Sequence, residues 1–276
     1  MVHLEDVSFG YRKTPVFDSV NLSINSGFLY GILGRNGTGK STLLYLISGL
    51  LRPSHGSCKV MGHVPYRREP KFLSQVFMIP EEFHVPDISI KEFVKYYGQF
   101  YPNFDPEAFA QNLESFEVPG HTLLKMSYGQ KKKVLISFGL AAGVSLLLMD
   151  EPTNGLDIIS KGQFRKVIAK SLREDHAIVI SSHQVSDLSS LIDHLVVLDS
   201  TKITVQSSIQ DIESRLVFKV ANDTVASEAV LYSELARGGQ AMVAINDGSE
   251  ESRIDLELFY KAAMHNPAGV AYALNN

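Results

Sequence analysis

The sequence lacks the features that would place it outside the ordinary globular proteins. A single cysteine, Cys58, excludes an internal disulfide framework and a cysteine-based zinc cluster. The formal charge of −4, from 26 basic and 30 acidic side chains, gives no general attraction to nucleic acid or anionic lipid. With 45 % hydrophobic residues among 276, the composition predicts a globular chain that forms one large domain or two small ones.

Long hydrophobic runs are also scarce. The most membrane-like stretch, residues 134–149, has 16 uncharged residues, whereas a membrane-spanning helix needs roughly 20. It ends directly at Asp150, and we interpret it as a buried helix followed by a buried strand. The polar residues 1–6 do not match a secretory signal peptide. We therefore expect a soluble protein, which leaves a membrane protein open as a partner.

Hydrophobic periodicity predicts alternating strands and helices, and hence a mainly parallel α/β core. The first 30 residues are predicted as edge strands, with an alternation that runs from Val2 to Ile24, whereas residues 28–33 form a continuous apolar run typical of a central strand. Residues from 82 to about 140 are predicted as a helical insertion. After about residue 206 the pattern weakens, and the predicted elements there are strands at 216–220 and 241–245 and helices at 226–236 and 255–264.

A phosphate-binding loop is predicted directly after the strand at residues 28–33. Residues 34–41 fit the pattern G-x-x-x-x-G-K-[ST], in which glycines let the backbone turn its N–H groups towards phosphate oxygens. Lys40 would reach the β- and γ-phosphates, and the Ser41 hydroxyl would bind Mg²⁺. The predicted nucleotide-binding residues of this loop are Gly34, Arg35, Asn36, Gly37, Thr38, Gly39, Lys40, Ser41 and Thr42.

Two carboxylates follow the apolar strand predicted at residues 146–149, which lies 110 positions after the phosphate-loop lysine. The carboxyl end of a parallel strand faces the nucleotide crevice. Asp150 would hold Mg²⁺ there, directly or through water, and Glu151 would orient and polarise the attacking water. A GTPase would also carry a guanine-reading Asn-Lys-x-Asp, which the sequence lacks.

Residues 126–130, Met-Ser-Tyr-Gly-Gln, resemble the LSGGQ signature of the ATP-binding-cassette (ABC) ATPases. Met replaces the leucine, and Tyr128 replaces the first glycine. The physical sense of the motif is a helix N-terminus that presents N–H groups and a serine hydroxyl to a γ-phosphate. The resemblance assigns nucleotide contacts to Ser127, Gly129 and Gln130.

Further motifs occur in the order that the ABC family has. Residues 154–157 follow the carboxylates as the family's D-loop does, which implies a nucleotide contact for Asp157. His183 follows the strand predicted at 177–181 and matches the histidine that contacts the γ-phosphate. Tyr11, 29 residues before Lys40, matches the aromatic residue that stacks on adenine.

The clearest departure from the family is at the Q-loop. Gln75 precedes the strand predicted at 76–79, so the usual glutamine position after that strand is occupied by Glu81. Glutamine would offer Mg²⁺ or water a neutral amide oxygen, whereas Glu81 would offer a charged one. Such Pro-Glu variants, and residues 254–259, resemble nucleotide-binding subunits that serve ABC-2-type transporters.

The resemblance covers roughly residues 1–205 and implies a P-loop NTPase fold of the ABC type. This is an α/β nucleotide-binding domain with N-terminal antiparallel strands, a mainly parallel core sheet and the helical insertion. Residues 206–276 are predicted as a small α+β accessory region. In the family, two subunits sandwich two ATPs, so one copy of each motif implies a homo- or heterodimer.

The implied function is ATP hydrolysis that powers a membrane transporter, with ATP and Mg²⁺ as cofactors. The implied partners are transmembrane permease subunits on a separate chain, and the implied location is the cytoplasmic face of the membrane. The ABC-2 resemblance suggests export. Two alternatives stay open: a soluble ABC ATPase that acts in assembly or repair, and a degenerate cassette used for binding.

The lysines at 131–133 are expected on a solvated helix face rather than in a nucleic-acid site.

Overall fold

The computed structural model describes residues 1–120, 122–221, 230–248 and 250–275 of the chain. The strands are β1 (Val2–Tyr11), β2 (Thr14–Ile24), β3 (Leu29–Gly34), β4 (His55–Val60), β5 (Val76–Ile79), β6 (Leu146–Asp150), β7 (Ala177–Ser182), β8 (His194–Asp199), β9 (Lys202–Ser208), β10 (Leu216–Ala221), β11 (Val230–Ala236) and β12 (Gly239–Ile245). The helices are α1 (Lys40–Ile47), α2 (Pro70–Leu73), α3 (Ile90–Tyr97), α4 (Pro106–Ser115), α5 (Tyr128–Ala141), α6 (Ile158–Ser171), α7 (Val185–Leu188), α8 (Ile209–Arg215), α9 (Leu256–His265) and α10 (Pro267–Asn275).

A six-stranded sheet in the order β5-β6-β7-β3-β8-β9 forms the centre of the molecule. Its pairs are parallel except for β8 and β9, as predicted for an α/β core. Every residue of β3 is buried, because Leu29 and Leu33 face one hydrophobic cluster while Tyr30 and Ile32 face another. The parallel arrangement brings the carboxyl ends of β3, β5, β6 and β7 to the same edge of the sheet, where the candidate site lies.

A separate antiparallel sheet, β2-β1-β4, covers α1. The predicted alternation is confirmed in β1 and β2, where Val2 and Leu4 are buried opposite Leu22 and Ile24. The sequence pattern did not predict β4, which has only two buried side chains and pairs with β1 at the sheet edge.

The helical insertion predicted from about residue 82 to 140 contains α3, α4 and α5. Ser89 and Glu92 form the predicted capping box at the start of α3, and Asp105 caps α4 by accepting hydrogen bonds from two backbone N–H groups. Phenylalanines from all three helices pack together, with Phe138 of α5 at the centre of the aromatic contacts. This aromatic core holds the insertion together.

The uncharged run at residues 134–149 divides as predicted into a helix and a strand. The helix α5 ends at Ala141 and the strand β6 begins at Leu146, with Gly143 between them at φ +63°. No helix in the described residues is long and apolar enough to cross a membrane.

The C-terminal region forms an antiparallel sheet in the order β10-β12-β11, together with α8, α9 and α10. The helix predicted at residues 226–236 is wrong from residue 230 onwards, because β11 pairs there with β12; residues 226–229 lie outside the described residues. Ala, Leu and Glu favour a helix locally, but pairing with β12 overrides that preference. Buried Phe259 of α9 joins the hydrophobic cluster of Leu33 and Leu188, so this region packs against the central sheet.

Candidate active site

A cleft of about 530 Å³ opens at the carboxyl edge of the central sheet. The end of β1, the loop before α1 and the segments that follow β5, β6 and β7 all contribute to it. Its lining residues are Tyr11, Val16, Asn36, Gly37, Gly39, Lys40, Ser41, Thr42, Glu81, Glu151, Asn154 and His183. All of these except Val16 and Asn154 are predicted site residues, so residues far apart in sequence meet in one place.

The glycine loop before α1 has the geometry that phosphate binding requires. Gly37 and Gly39 have φ values of +84° and +98°, which L side chains rarely adopt, and a Cβ on Gly39 would lie 2.6 Å from Val16 Cγ1. No side chain in the described part of the chain caps the N-terminus of α1. Its first N–H groups therefore remain available for an anion at the positive end of the helix.

Lys40 lines the cleft, and its side chain is only 7 % exposed. Its ammonium group donates to the carbonyl oxygens of Gly34 at 2.9 Å and Arg35 at 3.4 Å, and it lies 3.5 Å from Glu151 Oε1. The Thr38 hydroxyl also donates to the Arg35 carbonyl. Gly34, Arg35 and Thr38 do not line the cleft. Their hydrogen bonds stabilise the conformation of the loop.

The two predicted carboxylates occupy different positions. Asp150 is buried below the cleft at the end of β6 and accepts a hydrogen bond from the Ser181 hydroxyl of the neighbouring strand. Glu151 has a left-handed backbone at φ +46°, and its N–H donates to the Ser181 carbonyl at 3.1 Å. Its Oε1 lies 2.9 Å from His183 Nδ1. Glu151 thus lies between His183 and Lys40, with its carboxylate facing the cleft.

Oxygen donors for a divalent cation are present at this edge of the sheet. Glu81 lines the cleft after β5, and its Oε1 accepts a hydrogen bond of 2.8 Å from Asn154 Nδ2. Together with the Ser41 hydroxyl and Asp150 it supplies the oxygen ligands that Mg²⁺ prefers. In the described ranges there is no group of three or more His, Cys, Asp and Glu side chains that could hold a metal. The donor set suits a cation that takes its other ligands from phosphate and water.

Tyr11 stands at the mouth of the cleft, at the end of β1. Its hydroxyl lies 3.4 Å from Thr42 Oγ1, and Phe9 contacts its ring edge-on at a centroid distance of 5.0 Å. The residue is 48 % exposed. A supported ring with an open face can stack on a nucleobase.

The predicted signature residues lie outside this cleft. Ser127 and Gln130 form a capping box at the start of α5, in which the Ser127 hydroxyl accepts from the Gln130 N–H and the Gln130 side chain accepts from the Ser127 N–H. Ser127 is exposed. The structure therefore does not bring Ser127, Gly129 and Gln130 to the phosphate loop of the same chain.

Asp157 also lies outside the cleft, at the N-cap of α6. It accepts a hydrogen bond of 2.7 Å from the Ser160 N–H, which lowers the pKa of its carboxyl group. The loop before it is held by the Thr153 hydroxyl, which donates to Asp187 at 2.6 Å, and Asp187 also pairs with Lys161. The predicted D-loop is thus anchored to the segment that follows His183.

Tyr128 folds back onto its own chain instead of covering the start of α5. Its hydroxyl donates to the Glu81 carbonyl oxygen, and its ring stacks on Phe83 at a centroid distance of 4.9 Å. Burial and the nearby carboxylates of Glu81 and Glu82 raise its pKa. The tyrosine therefore fills space beside the segment after β5, while Ser127 at the helix N-terminus stays accessible.

The expected solvated face at residues 131–133 is wrong for Lys132, which is fully buried. Its Nζ donates to the carbonyl oxygens of Glu151 at 3.1 Å and Asn154 at 3.0 Å, and burial lowers its pKa against the opposing effect of nearby carboxylates. Helical spacing could have found it, because Lys132 shares a face with the buried Ile136 and Gly139. Asn154 and Ser181 were likewise not predicted as site residues.

Comparison with known families matches residues 17–154, half of the chain, to the ABC transporter family model. Among curated proteins, the chain is 26 % identical to the ABC transporter ATP-binding protein YtrB of Bacillus subtilis, with 88 % of the chain and 84 % of that protein covered. It is 27 % identical to the bacitracin transport ATP-binding protein BcrA of Bacillus licheniformis, with 78 % and 72 % covered.

Among solved structures, the chain is similar to a dimeric ATP-binding cassette in a post-hydrolysis state, bound to ADP and phosphate. The TM-score is 0.66 at 21 % identity, with 75 % of the chain and 98 % of that structure covered. At this level of identity the likeness shows the fold, which agrees with the fold class predicted from the sequence.

Proposed function

The chain belongs to the ABC transporter family, and we propose that it is the ATP-hydrolysing subunit of a membrane exporter. ATP binding and hydrolysis in the service of transport are the activity of its relatives and of this chain. The observation that carries the assignment of the site is the meeting of Lys40, Glu151 and His183 in one cleft. The same convergence argues against a degenerate cassette used only for binding.

The residues of the cleft divide the chemistry between them. The N–H groups at the start of α1 and the Lys40 ammonium bind the phosphates, while the Tyr11 ring receives the adenine. Glu151 orients and polarises the attacking water, and His183, whose Nδ1 lies 2.9 Å from Glu151 Oε1, acts beside it at the γ-phosphate. Ser41, Asp150 and Glu81 would hold Mg²⁺, which neutralises charge on the phosphates when it is bound.

A second subunit completes each site. The residues at the start of α5 do not line the cleft of their own chain, so Ser127, Gly129 and Gln130 would meet the nucleotide of another subunit, with Asp157 beside them. A γ-phosphate that bridges two subunits favours the closed dimer, and hydrolysis removes that bridge. We infer that ATP binding closes the dimer and that hydrolysis reopens it.

The membrane partner would dock in a second depression, an apolar groove of about 890 Å³ between β5, α3 and α5. Tyr97 and Phe100 line this groove and are 40 % and 63 % exposed. Exposed aromatic patches of this kind mark interaction sites. Phe83 belongs to the groove while Glu81, two residues before it, belongs to the cleft. A transmembrane permease on a separate chain, bound here, would place this subunit on the cytoplasmic face of the membrane.

The export direction rests on two supports. One is the Pro-Glu sequence at the Q-loop position, which resembles ABC-2-associated subunits. The other is the similarity to a bacitracin transport protein, which covers most of both chains.

The division into a cassette at residues 1–205 and an accessory region at residues 206–276 remains a proposal. The strand β9 continues the central sheet across that boundary to Ser208.

Affinity capture of the tagged full-length chain from detergent-solubilised membranes tests this proposal. We expect a co-purifying protein with about six hydrophobic spans of roughly 20 residues each. A reproducible partner without such spans would favour an assembly or repair ATPase and would contradict the transporter assignment.

A further inference from the structure

A buried ammonium group lies directly beneath the candidate active site. Lys132, in the second turn of α5, is fully buried and does not line the cleft. Its Nζ donates to two main-chain carbonyls, those of Glu151 and Asn154, and lies 5.0 Å from the centre of the Tyr128 ring. A buried charge is costly unless it is well paired, so these contacts define a specific position for the side chain.

The two carbonyls belong to the turn that carries the catalytic carboxylate. The Asn154 N–H donates to the Glu151 carbonyl at 3.1 Å, which closes the turn. Glu151 has a φ of +46°, a region that non-glycine residues rarely occupy without support from their surroundings. Lys132 contacts both ends of this turn, on main-chain atoms only, and so supports the backbone conformation that directs the Glu151 side chain.

We propose that Lys132 is a positioning residue for hydrolysis, whose ammonium holds the turn from Glu151 to Asn154 so that the Glu151 carboxylate faces the cleft. This inference rests on the proposed role of Glu151 as the residue that orients water. Because Lys132 touches neither the phosphate loop nor Tyr11, it acts on the rate of the chemical step and not on ATP binding. The side chains of Lys40 and His183 meet Glu151 from the cleft, whereas Lys132 reaches its backbone from below.

Two substitutions in the full-length protein test the role, with a control on the same helix. Lys132→Met removes both the charge and the donor, and Lys132→Gln keeps a neutral donor. The matched control is Lys133→Met, because the Lys133 ammonium also donates to a carbonyl, that of Phe116 at 3.0 Å, and to the Gln163 side chain at 3.3 Å, but binds neither Glu151 nor Asn154 and does not line the cleft. The measurements are kcat and KM for ATP, the Kd of a fluorescent ATP analogue, and Tm.

We expect Lys132→Met to lower kcat by about 10- to 100-fold, the loss expected when a reacting group is misplaced by about 1 Å. The KM and Kd for ATP stay within about threefold of wild type, since the binding contacts remain. The kcat of Lys132→Gln should lie between those of the wild type and of Lys132→Met. Lys133→Met lowers Tm but keeps kcat within about twofold, because it removes part-buried hydrogen bonds to Phe116 and Gln163 and none to the turn from Glu151 to Asn154.

A double-variant cycle with Glu151→Gln shows whether Lys132 acts through Glu151. Once the carboxylate is gone, adding Lys132→Met should cost no further kcat, because the two changes remove one function. The proposal is overturned if folded Lys132→Met keeps the wild-type kcat. If Lys132→Met does not fold, the same test applies to Lys132→Gln. The proposal is also overturned if the losses of kcat in the two single variants multiply in the double variant. A Glu151→Gln enzyme with wild-type kcat would instead overturn the role of Glu151, so the two failures are distinguishable.

Discussion

The candidate cleft and the apolar groove meet at one short segment but are built from opposite kinds of residue. The cleft, of about 530 Å³, combines glycines, a nearly buried lysine and two carboxylates. The groove, of about 890 Å³, is larger and is lined mostly by aromatic and aliphatic side chains. The lining of the larger depression includes Arg68 but no lysine and no carboxylate, so size does not identify the candidate catalytic site. The charged side chains and the backbone geometry of the smaller cleft identify it as the candidate site.

The segment after β5 joins these two regions within three residues. Glu81 contacts Asn154 in the cleft, and Phe83 lines the groove and stacks on Tyr128 of the signature. A displacement of this segment would therefore change the contacts in both the cleft and the groove. If the cleft performs chemistry and the groove recognises the partner, a side-chain substitution outside this shared segment should change the function of one region and leave that of the other intact.

The largest expected effect is that of Glu151→Gln. If Glu151 is the carboxylate that activates water, as proposed, its loss should lower kcat by about 10²- to 10⁴-fold, while ATP still binds. Phosphate release by the purified protein measures it. Glu82→Gln, on an exposed carboxylate outside the cleft, is the matched control and should stay near the wild-type rate. A fully active Glu151→Gln variant would contradict the proposal that the cleft performs the chemistry through Glu151.

Lys40→Ala should weaken ATP binding. If the Lys40 ammonium hydrogen-bonds phosphate oxygens, as proposed, its removal costs about 1.5–3 kcal/mol, which is about a 10- to 150-fold rise in Kd. Titration with a fluorescent ATP analogue measures it, and Lys59→Ala on the exposed face of β4 provides the control. Unchanged affinity in Lys40→Ala would contradict the assignment of the phosphate loop.

Phe100→Glu tests the groove. A charge on this exposed aromatic position should weaken partner capture by about 30-fold, the effect of a 2 kcal/mol contact, and leave the ATPase rate unchanged. Leu235→Glu is the control, because Leu235 is 92 % exposed on β11, away from the groove. If Phe100→Glu abolishes hydrolysis while capture persists, the two regions are not functionally separate.

The smallest expected effect is that of Glu81→Gln. The amide oxygen can still accept the Asn154 hydrogen bond, so kcat should change by less than about fivefold, which is about 1 kcal/mol. ATPase and transport assays on the same preparation would detect it. A larger loss of hydrolysis would show that the charge itself is needed, and no change in either assay would remove any special role in coupling.

The parts of the site that are local in sequence could be predicted. The loop from Gly34 to Ser41 is a strand-turn-helix unit whose glycines and lysine follow directly from phosphate binding. Asp150 and Glu151 were predicted because an apolar strand that ends in acidic residues is visible without knowledge of its neighbours. The contacts of Tyr128 with Glu81 and Phe83 could not be predicted, since they depend on how α5 packs against the segment after β5.

The errors have a common physical cause. Residues 230–236 contain helix-forming side chains, yet long-range pairing with β12 decides their conformation. Lys132 carries a charge, yet the turn below the cleft offers its ammonium two carbonyl acceptors that make burial favourable. In both cases a distant partner outweighs the local preference on which a single sequence has to rely.

The mass of the Glu151→Gln variant in solution tests the central claim most directly. The chain has a mass of 30.5 kDa. Size exclusion with light scattering, run with and without ATP and Mg²⁺, should show a shift to twice that mass only with ATP, because unhydrolysed nucleotide holds two subunits together. If the variant binds ATP and stays at the monomer mass, the account of two subunits closing around shared nucleotides is contradicted.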